Sequence, residues 1–252
     1  MIRSLVILLA FFFIHFISLG QNIEDSLKLG NQYYTEDRFE DAINTYENIV
    51  SLGYEAPELY FNLGNAYFKS HKITFAILNY ERAKLLDPRN EDINYNLEIA
   101  SSFVVDKMET VPDFFILQWH KSLVNMFSGD TWAIISIVSF ILLLLFLSVY
   151  LYTRTYGIKK LSFWINVLLL YLTVSSFVFS MNHRKGVLHP GTALILTPSI
   201  TVESSPDESG TDLFLIHEGT KVNVKESVGE WTRIKLSDGK EGWVPTSSIV
   251  EI

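Results

Sequence analysis

The sequence predicts a multidomain membrane protein built from an α-helical repeat domain, a two-helix transmembrane hairpin and a small β-barrel. Three observations lead to this fold class. Identical residues recur at a spacing of 34 between residues 23 and 90, two uncharged apolar stretches follow, and residues 186–252 alternate between apolar and polar side chains with frequent turn residues. These patterns are typical of helical repeats, membrane spans and short β-strands respectively.

The composition supports this division. The chain is 48% hydrophobic yet has a formal net charge of −8, a combination that suggests separate apolar and acidic segments. The charge balance is −8 over residues 21–110, +4 over 111–185 and −5 over 186–252. Because the terminal regions are acidic, no nucleic-acid partner is expected. The sequence contains no cysteine, which excludes disulfides, thiolate metal sites and cysteine nucleophiles.

Residues 1–20 have the layout of a secretory signal peptide. Arg3 precedes a long apolar run, and the segment ends at Gly20, which predicts cleavage before Gln21. An uncleaved membrane anchor is the alternative interpretation. Since position 21 is not a cysteine, lipoprotein processing is excluded.

Residues 133–152 and 161–181 are predicted to be transmembrane helices. Neither contains a charged residue, and each can cross a hydrocarbon core of about 30 Å at roughly 1.5 Å per residue. The predicted loop between them, 153–160, carries only basic charges, which favours a cytoplasmic location. Arg184 and Lys185 beyond the second span weaken this bias, but the predicted signal peptide places the chain from residue 21 onward outside. We therefore expect a two-pass protein of the cytoplasmic (inner) membrane with both terminal domains on the extracytoplasmic (periplasmic) side. Because the spans contain no Asp, Glu, Lys, Arg or His, the hairpin is interpreted as an anchor.

Residues 111–128 mix aromatic and aliphatic side chains with Asp113, His120 and Lys121. This pattern predicts an amphipathic helix that lies at the membrane surface and leads into the first span. A helix that caps the preceding domain is the alternative.

The first domain, 21–106, contains two copies of one pattern. Six residues of the first copy recur 34 positions later, namely Leu29, Gly30, Asn31, Tyr33, Ala42 and Tyr46, which correspond to Leu63, Gly64, Asn65, Tyr67, Ala76 and Tyr80. Residues 57–90 resemble a tetratricopeptide repeat over all 34 positions, and residues 23–56 resemble a second copy. Residues 91–105 are expected to form a capping helix. Two departures stand out: Gly53 and Tyr54 replace the usual Asp-Pro, and His71 replaces the turn glycine.

The resemblance implies a concave groove lined by the first helix of each repeat. The corresponding positions are Leu27, Asn31, Tyr34, Phe61, Asn65, Phe68 and Lys69. We expect this groove to bind an extended peptide or a partner helix, with the asparagines bonding to its backbone. The same asparagines also follow the repeat pattern, so they do not by themselves identify a ligand. Because the groove has no cluster of Lys and Arg, a carboxylate-binding clamp is not expected.

The C-terminal region, 186–252, is predicted to form a small β-barrel. Its predicted strands are 193–197, 201–204, 212–216, 221–226, 231–235, 241–244 and 248–251. The pair Asp238-Gly239 followed by Gly242-Trp243-Val244 resembles a bacterial SH3-like domain. Related modules bind peptides or cell-wall material, which implies a ligand surface at Trp243 and Trp231. The alternative is that these side chains pack inside the barrel, and this interpretation is favoured for Trp231.

Catalytic and metal-binding motifs are not found in the sequence. The six histidines are scattered, and no metal-binding, nucleophile or phosphate-loop pattern occurs. We therefore predict a non-enzymatic protein without a cofactor or metal. The order of the segments is similar to that of the BatE-type proteins of the aerotolerance operon. This resemblance implies Bat-type membrane partners with von Willebrand A domains and a linked MoxR-type ATPase, while peptidoglycan is the alternative ligand.

Overall fold

The computed structural model describes residues 23–107, 115–124, 126–188, 191–207 and 209–252. The predicted signal peptide lies outside these residues. The chain divides into two compact units, one formed by 23–84, 90–107 and 192–252 and the other by 85–89 and the described part of 110–191. The predicted fold class is confirmed, with a helical region, two long apolar helices and a C-terminal antiparallel sheet.

Five helices form the repeat region: α1 (residues 23–35), α2 (Phe39–Ser51), α3 (Pro57–Lys69), α4 (Ile73–Leu86) and α5 (Glu91–Ser101). Close contact between helices explains the repeated glycines. A Cβ atom on Gly30 would lie 2.4 Å from the Tyr46 ring, and one on Gly64 would lie 2.7 Å from the Tyr80 ring. Both tyrosines are 1% exposed, so each repeat requires a glycine where a buried ring crosses its first helix.

The turns within the two repeats adopt the same conformation without glycine. Asp37 and His71 have φ angles of 57° and 60°, in the left-handed region that few side chains other than glycine adopt readily. The amide of Lys72 donates to the Tyr67 carbonyl at 2.9 Å, as Arg38 does to Tyr33. This bond pattern is typical of a helix that ends in a left-handed residue. The second turn therefore forms even though His71 replaces glycine.

The C-terminal region forms one antiparallel sheet in the order β3-β2-β6-β5-β4-β1-β7. Its seven strands are β1 (Thr192–Ile195), β2 (Ser199–Glu203), β3 (Asp212–His217), β4 (Lys221–Val228), β5 (Trp231–Lys235), β6 (Glu241–Pro245) and β7 (Ile249–Glu251). The strand ends differ from the predicted ones by two residues at most. The sheet surrounds an aliphatic core that includes Val202, Val222, Ile234 and Val244. Among the described strand pairings, β3 and β7 remain as edges, so these pairings do not close the predicted barrel.

The second unit contains α6 (Phe115–Val124), α7 (Gly129–Tyr152) and α8 (Tyr156–Leu188). Among the described residues, two helices are long and apolar enough to cross a membrane, Gly129–Tyr152 and Tyr156–Gly186. Both extend beyond the predicted spans. Residues 156–160, predicted as loop, form the start of α8, because their side chains are compatible with helix and the turn needs only residues 153–155.

Hydrogen bonds made by small polar side chains join α7 and α8. Ser136 Oγ donates to the Thr173 carbonyl at 3.1 Å, and the Ser139 and Thr173 hydroxyls lie 2.9 Å apart. Such bonds between helices are favourable where water is absent. In the same unit, Trp132 Nε1 donates to the carbonyl of Val124 at 2.8 Å. This bond attaches α6 to the start of the hairpin.

Candidate functional site

A cavity of about 180 Å³ opens on the concave side of the repeat helices. It is lined by Tyr34, Asn65, Phe68, Lys69, Tyr80, Asn96 and Ile99. Four of the seven predicted groove residues therefore come together, namely Tyr34, Asn65, Phe68 and Lys69. The other three do not line this cavity. Leu27 and Phe61 pack partly buried against the helical core, and Asn31 takes part in a separate hydrogen-bond network.

Asparagine and tyrosine side chains form the same network in each repeat. Asn65 Oδ1 accepts hydrogen bonds from Tyr80 Oη at 2.7 Å and from Asn96 Nδ2 at 2.8 Å. In the first repeat, Asn31 Oδ1 accepts from Tyr46 Oη at 2.6 Å and from Asn62 Nδ2 at 3.1 Å. Each network joins three consecutive helices through one asparagine oxygen.

The asparagine oxygens determine the direction of the tyrosine bonds, because an amide oxygen can only accept and the phenol must therefore donate. Burial raises the pKa of Tyr80, with a smaller contribution from Tyr34, and it raises the pKa of Tyr46 in the same way. Both phenols therefore keep the proton that they donate. Because two donors occupy Asn65 Oδ1, the orientation of this amide is set. Its Nδ2 has no recorded partner among the described residues, so it is the group that Asn65 can offer to a ligand in the cavity.

Sequence reasoning missed Tyr80, Asn96 and Ile99 as cavity residues. The 34-residue spacing pairs equivalent positions of the two repeats. The hydrogen-bond network instead joins residues that are 15 and 31 positions apart in the sequence. The pairs Asn31/Asn62 and Asn65/Asn96 share the offset of 31. A search for contacts between successive first helices would therefore have identified Asn96.

The outer face of the C-terminal sheet carries both predicted tryptophans. On β5 and β6 the buried residues alternate with partly buried ones, and Trp231 and Trp243 are among the partly buried ones. Trp231 is paired with Pro245 and Trp243 with Arg233 across the two strands, so both indoles are on the same face. The interpretation that favoured Trp231 inside the barrel is wrong, because its neighbour Thr232 takes the inward position.

An ion-pair network lies beside the two tryptophans. Arg233 contacts Glu226 at 3.0 Å and Glu241 at 2.9 Å, and Lys235 contacts Glu241 at 2.9 Å. These groups are partly exposed, so they contribute little to stability. They do give the tryptophan face a mixed, nearly balanced charge, which suits a polar ligand that also stacks on aromatic rings.

Comparison with known families identifies the two folds that carry these surfaces. Residues 57–90 match the tetratricopeptide repeat and residues 30–70 match a TPR repeat family, while residues 200–250 match the bacterial SH3 domain. The chain contains TPR repeats and a bacterial SH3 domain. Both folds are typically non-catalytic interaction modules. Within the described ranges, no group of three His, Asp or Glu side chains is placed to hold a metal ion.

One curated relative is similar to part of the chain. Sperm-associated antigen 1 of Rattus norvegicus is 29% identical over 84 residues, which is 33% of this chain and 9% of that protein. The chain thus spans less than a tenth of the length of this relative.

Asp106 joins the TPR repeats to the bacterial SH3 domain. Its Oδ2 accepts from the His217 amide at 2.7 Å and from Thr220 Oγ1 at 2.7 Å, and its Oδ1 lies 3.0 Å from His217 Nδ1. The Asp106 side chain is 16% exposed. Burial by itself would raise the pKa of Asp106, but the hydrogen bonds from His217 and Thr220 outweigh it and hold this pKa below its usual value.

Apolar packing extends this junction. Leu194 of the SH3 domain is fully buried within the core cluster of the TPR helices, together with the partly buried Val250 and Ile252. Beside it, Lys221 Nζ lies 2.7 Å from Glu81 Oε2. The TPR repeats and the SH3 domain therefore form one compact unit, and the SH3 domain covers one side of the repeat stack.

Proposed function

We propose that this chain is a non-enzymatic, membrane-anchored scaffold that presents the TPR groove and the SH3 domain together outside the cytoplasm. The observation that carries this proposal is the junction at Asp106. It makes one folded unit from segments that precede and follow the apolar hairpin. A bilayer cannot divide a folded unit, so both parts of this unit must lie on the same side of the membrane. The chain between them must therefore enter and leave the membrane on that side. Two spans satisfy this requirement.

Charge supports the extracytoplasmic orientation of that unit. The short connection between α7 and α8 contains Arg154, and Lys159 and Lys160 follow at the start of α8, without an acidic residue between 153 and 160. Basic residues next to a span favour the cytoplasm. The hairpin turn is then cytoplasmic, and the TPR–SH3 unit faces the periplasm, in agreement with the predicted signal peptide.

The proposed partner of the groove is a protein segment in extended or helical form. Asn65 Nδ2 supplies a hydrogen-bond donor for a backbone carbonyl, while Phe68 and Ile99 supply apolar contact and Lys69 a single positive charge. The order of segments resembles that of BatE-type proteins. On this resemblance, we assign the partner to the Bat-type membrane proteins with von Willebrand A domains, in a complex linked to aerotolerance.

Substitution of Asn65 by aspartate tests the groove. Aspartate keeps the oxygen that accepts from Tyr80 and Asn96 but replaces the donor with a second oxygen, so partner capture from detergent-solubilised membranes should fall about tenfold. The matched control is Asn48→Asp, because Asn48 is an exposed asparagine of the same repeat region that does not line the cavity. The proposal fails if the unchanged chain captures no stable partner, or if both variants capture equally.

A second candidate function is binding of the SH3 domain to the cell wall, which the outward position of Trp243 favours. The full chain in detergent should co-sediment with purified peptidoglycan, and Trp243→Ala should reduce the bound fraction about tenfold, because stacking on a partly exposed aromatic ring is lost. Tyr95→Ala removes another aromatic side chain, 64% exposed, and should bind like the unchanged chain. Absence of co-sedimentation would exclude this function.

A further inference from the structure

The hairpin contains one side-chain amide whose donor and acceptor are both unpaired. Asn166 Nδ2 and Oδ1 are buried and have no hydrogen-bond partner among the described residues. At roughly 1.5 Å per residue, Asn166 lies about 8 Å along the helix from the start of the predicted span. The hydroxyls of Ser136, Ser139 and Ser180 are bonded in the same hairpin. An unpaired amide in hydrocarbon is unfavourable, so Asn166 requires a partner.

Asn166 lines an apolar groove on the surface of the hairpin. The groove has a volume of about 310 Å³, and its other lining residues are Leu143, Leu147, Tyr150, Phe163, Val167 and Leu170. Val167 and Leu170 are 45% and 55% exposed. None of the lining residues is charged, so the groove does not suit a transmembrane helix with a charged side chain. It suits an apolar helix that brings one polar group to the depth of Asn166.

We propose that this groove is the contact between two copies of the chain in the membrane, with the two Asn166 amides paired to each other. An amide is self-complementary: each Nδ2 donates to the Oδ1 of the other copy, so a two-fold axis satisfies all four polar groups at once. A second copy always places its amide at the same depth. Because no hydrogen bond holds the Asn166 amide in its present position, turning it towards the groove breaks none.

Disulfide cross-linking in native membranes tests this contact. The chain has no cysteine, so a single introduced cysteine gives an unambiguous product. Leu170→Cys, in the groove, should form a covalent dimer at twice the mass of the single chain. Leu168→Cys is the matched control, because Leu168 is 65% exposed but does not line the groove, and it should form little or no dimer.

The role of Asn166 is tested in the Leu170→Cys background. Asn166→Leu removes two hydrogen bonds from the contact and should lower the dimer fraction about fivefold to tenfold, whereas Asn166→Gln keeps an amide and should retain most of it. Leucine also maintains membrane insertion, which resistance to alkaline extraction verifies. Equal cross-linking at positions 168 and 170, no dimer, an unchanged dimer in Asn166→Leu, or an adduct with a different protein would each overturn the proposal.

Discussion

Replacement of Asp106 by alanine is expected to lower the free energy of unfolding of the TPR–SH3 unit by about 2–4 kcal/mol. The change leaves the His217 amide and the Thr220 hydroxyl without their acceptor at a junction where the carboxylate was 16% exposed. Denaturant unfolding of the full chain in detergent measures the difference. Amide exchange should accelerate in β3 and β4 first, because these strands begin or end at the broken contacts.

Glu98→Ala is the control for this experiment. Glu98 is an exposed acidic residue on α5, and its loss should change the free energy of unfolding by less than about 0.5 kcal/mol. If Asp106→Ala is as stable as this control, the junction does not hold the SH3 domain on the TPR repeats.

The effect of Asp106 should depend on pH. Its pKa is lower in the folded protein than in the unfolded chain, because the hydrogen bonds from His217 and Thr220 outweigh the effect of burial. The ionised carboxylate therefore stabilises the folded protein at pH values above the pKa of aspartate in the unfolded chain, about 3.9. This stabilisation is lost as the pH falls through the lower pKa of the folded protein. The difference between the unchanged chain and Asp106→Ala should therefore be largest near neutral pH and narrow below about pH 4. A constant difference between pH 7 and pH 3 would contradict this assignment.

Gly64→Ala is expected to destabilise the same unit by about 1–3 kcal/mol. The new Cβ would lie 2.7 Å from the Tyr80 ring and 3.3 Å from the Ala76 carbonyl oxygen. Tyr80 is 1% exposed and its hydroxyl donates to Asn65, so the ring cannot withdraw without disturbing the groove. Partner capture should decrease together with the stability of the unit. Alanine has a higher helix propensity than glycine by about 1 kcal/mol, but the clash with Tyr80 should outweigh this gain.

A double-mutant cycle separates the steric effect from other causes. Tyr80→Leu removes the ring, so Gly64→Ala should then be far less destabilising than in the unchanged chain. Thermal unfolding monitored by helical circular dichroism gives the four values. Additive effects of the two substitutions would show that the clash with Tyr80 is not the reason for the glycine.

Local patterns predicted most of the fold. The recurring glycines and tyrosines reflect a local requirement, since Gly64 must meet Tyr80 within its repeat as Gly30 meets Tyr46. The alternation likewise predicted β5 and β6, but it did not show which side of β5 Trp231 occupies. The ends of α8 could not be predicted in the same way, because its interfacial residues suit both loop and helix.

The candidate groove could be predicted only in part. Tyr34, Asn65, Phe68 and Lys69 were found by their repeat positions, but Asn96 belongs to the capping helix, where the repeat pattern is weaker. Its role depends on the bond to Asn65, 31 residues earlier. The 34-residue periodicity pairs equivalent positions of the two repeats, so it does not reveal which residues of successive helices contact each other.

The sequence by itself determined the order and type of the segments, because helix period, strand alternation and span length depend on neighbouring residues. Only the tertiary structure decided that the first and last segments form one unit. Asp106 and His217 are separated by 111 residues, and no periodic pattern records a contact over that distance. The same holds for Asn166, since its amide is an ordinary polar residue in the sequence and becomes a requirement for a partner only once the packed hairpin leaves both of its polar atoms unpaired.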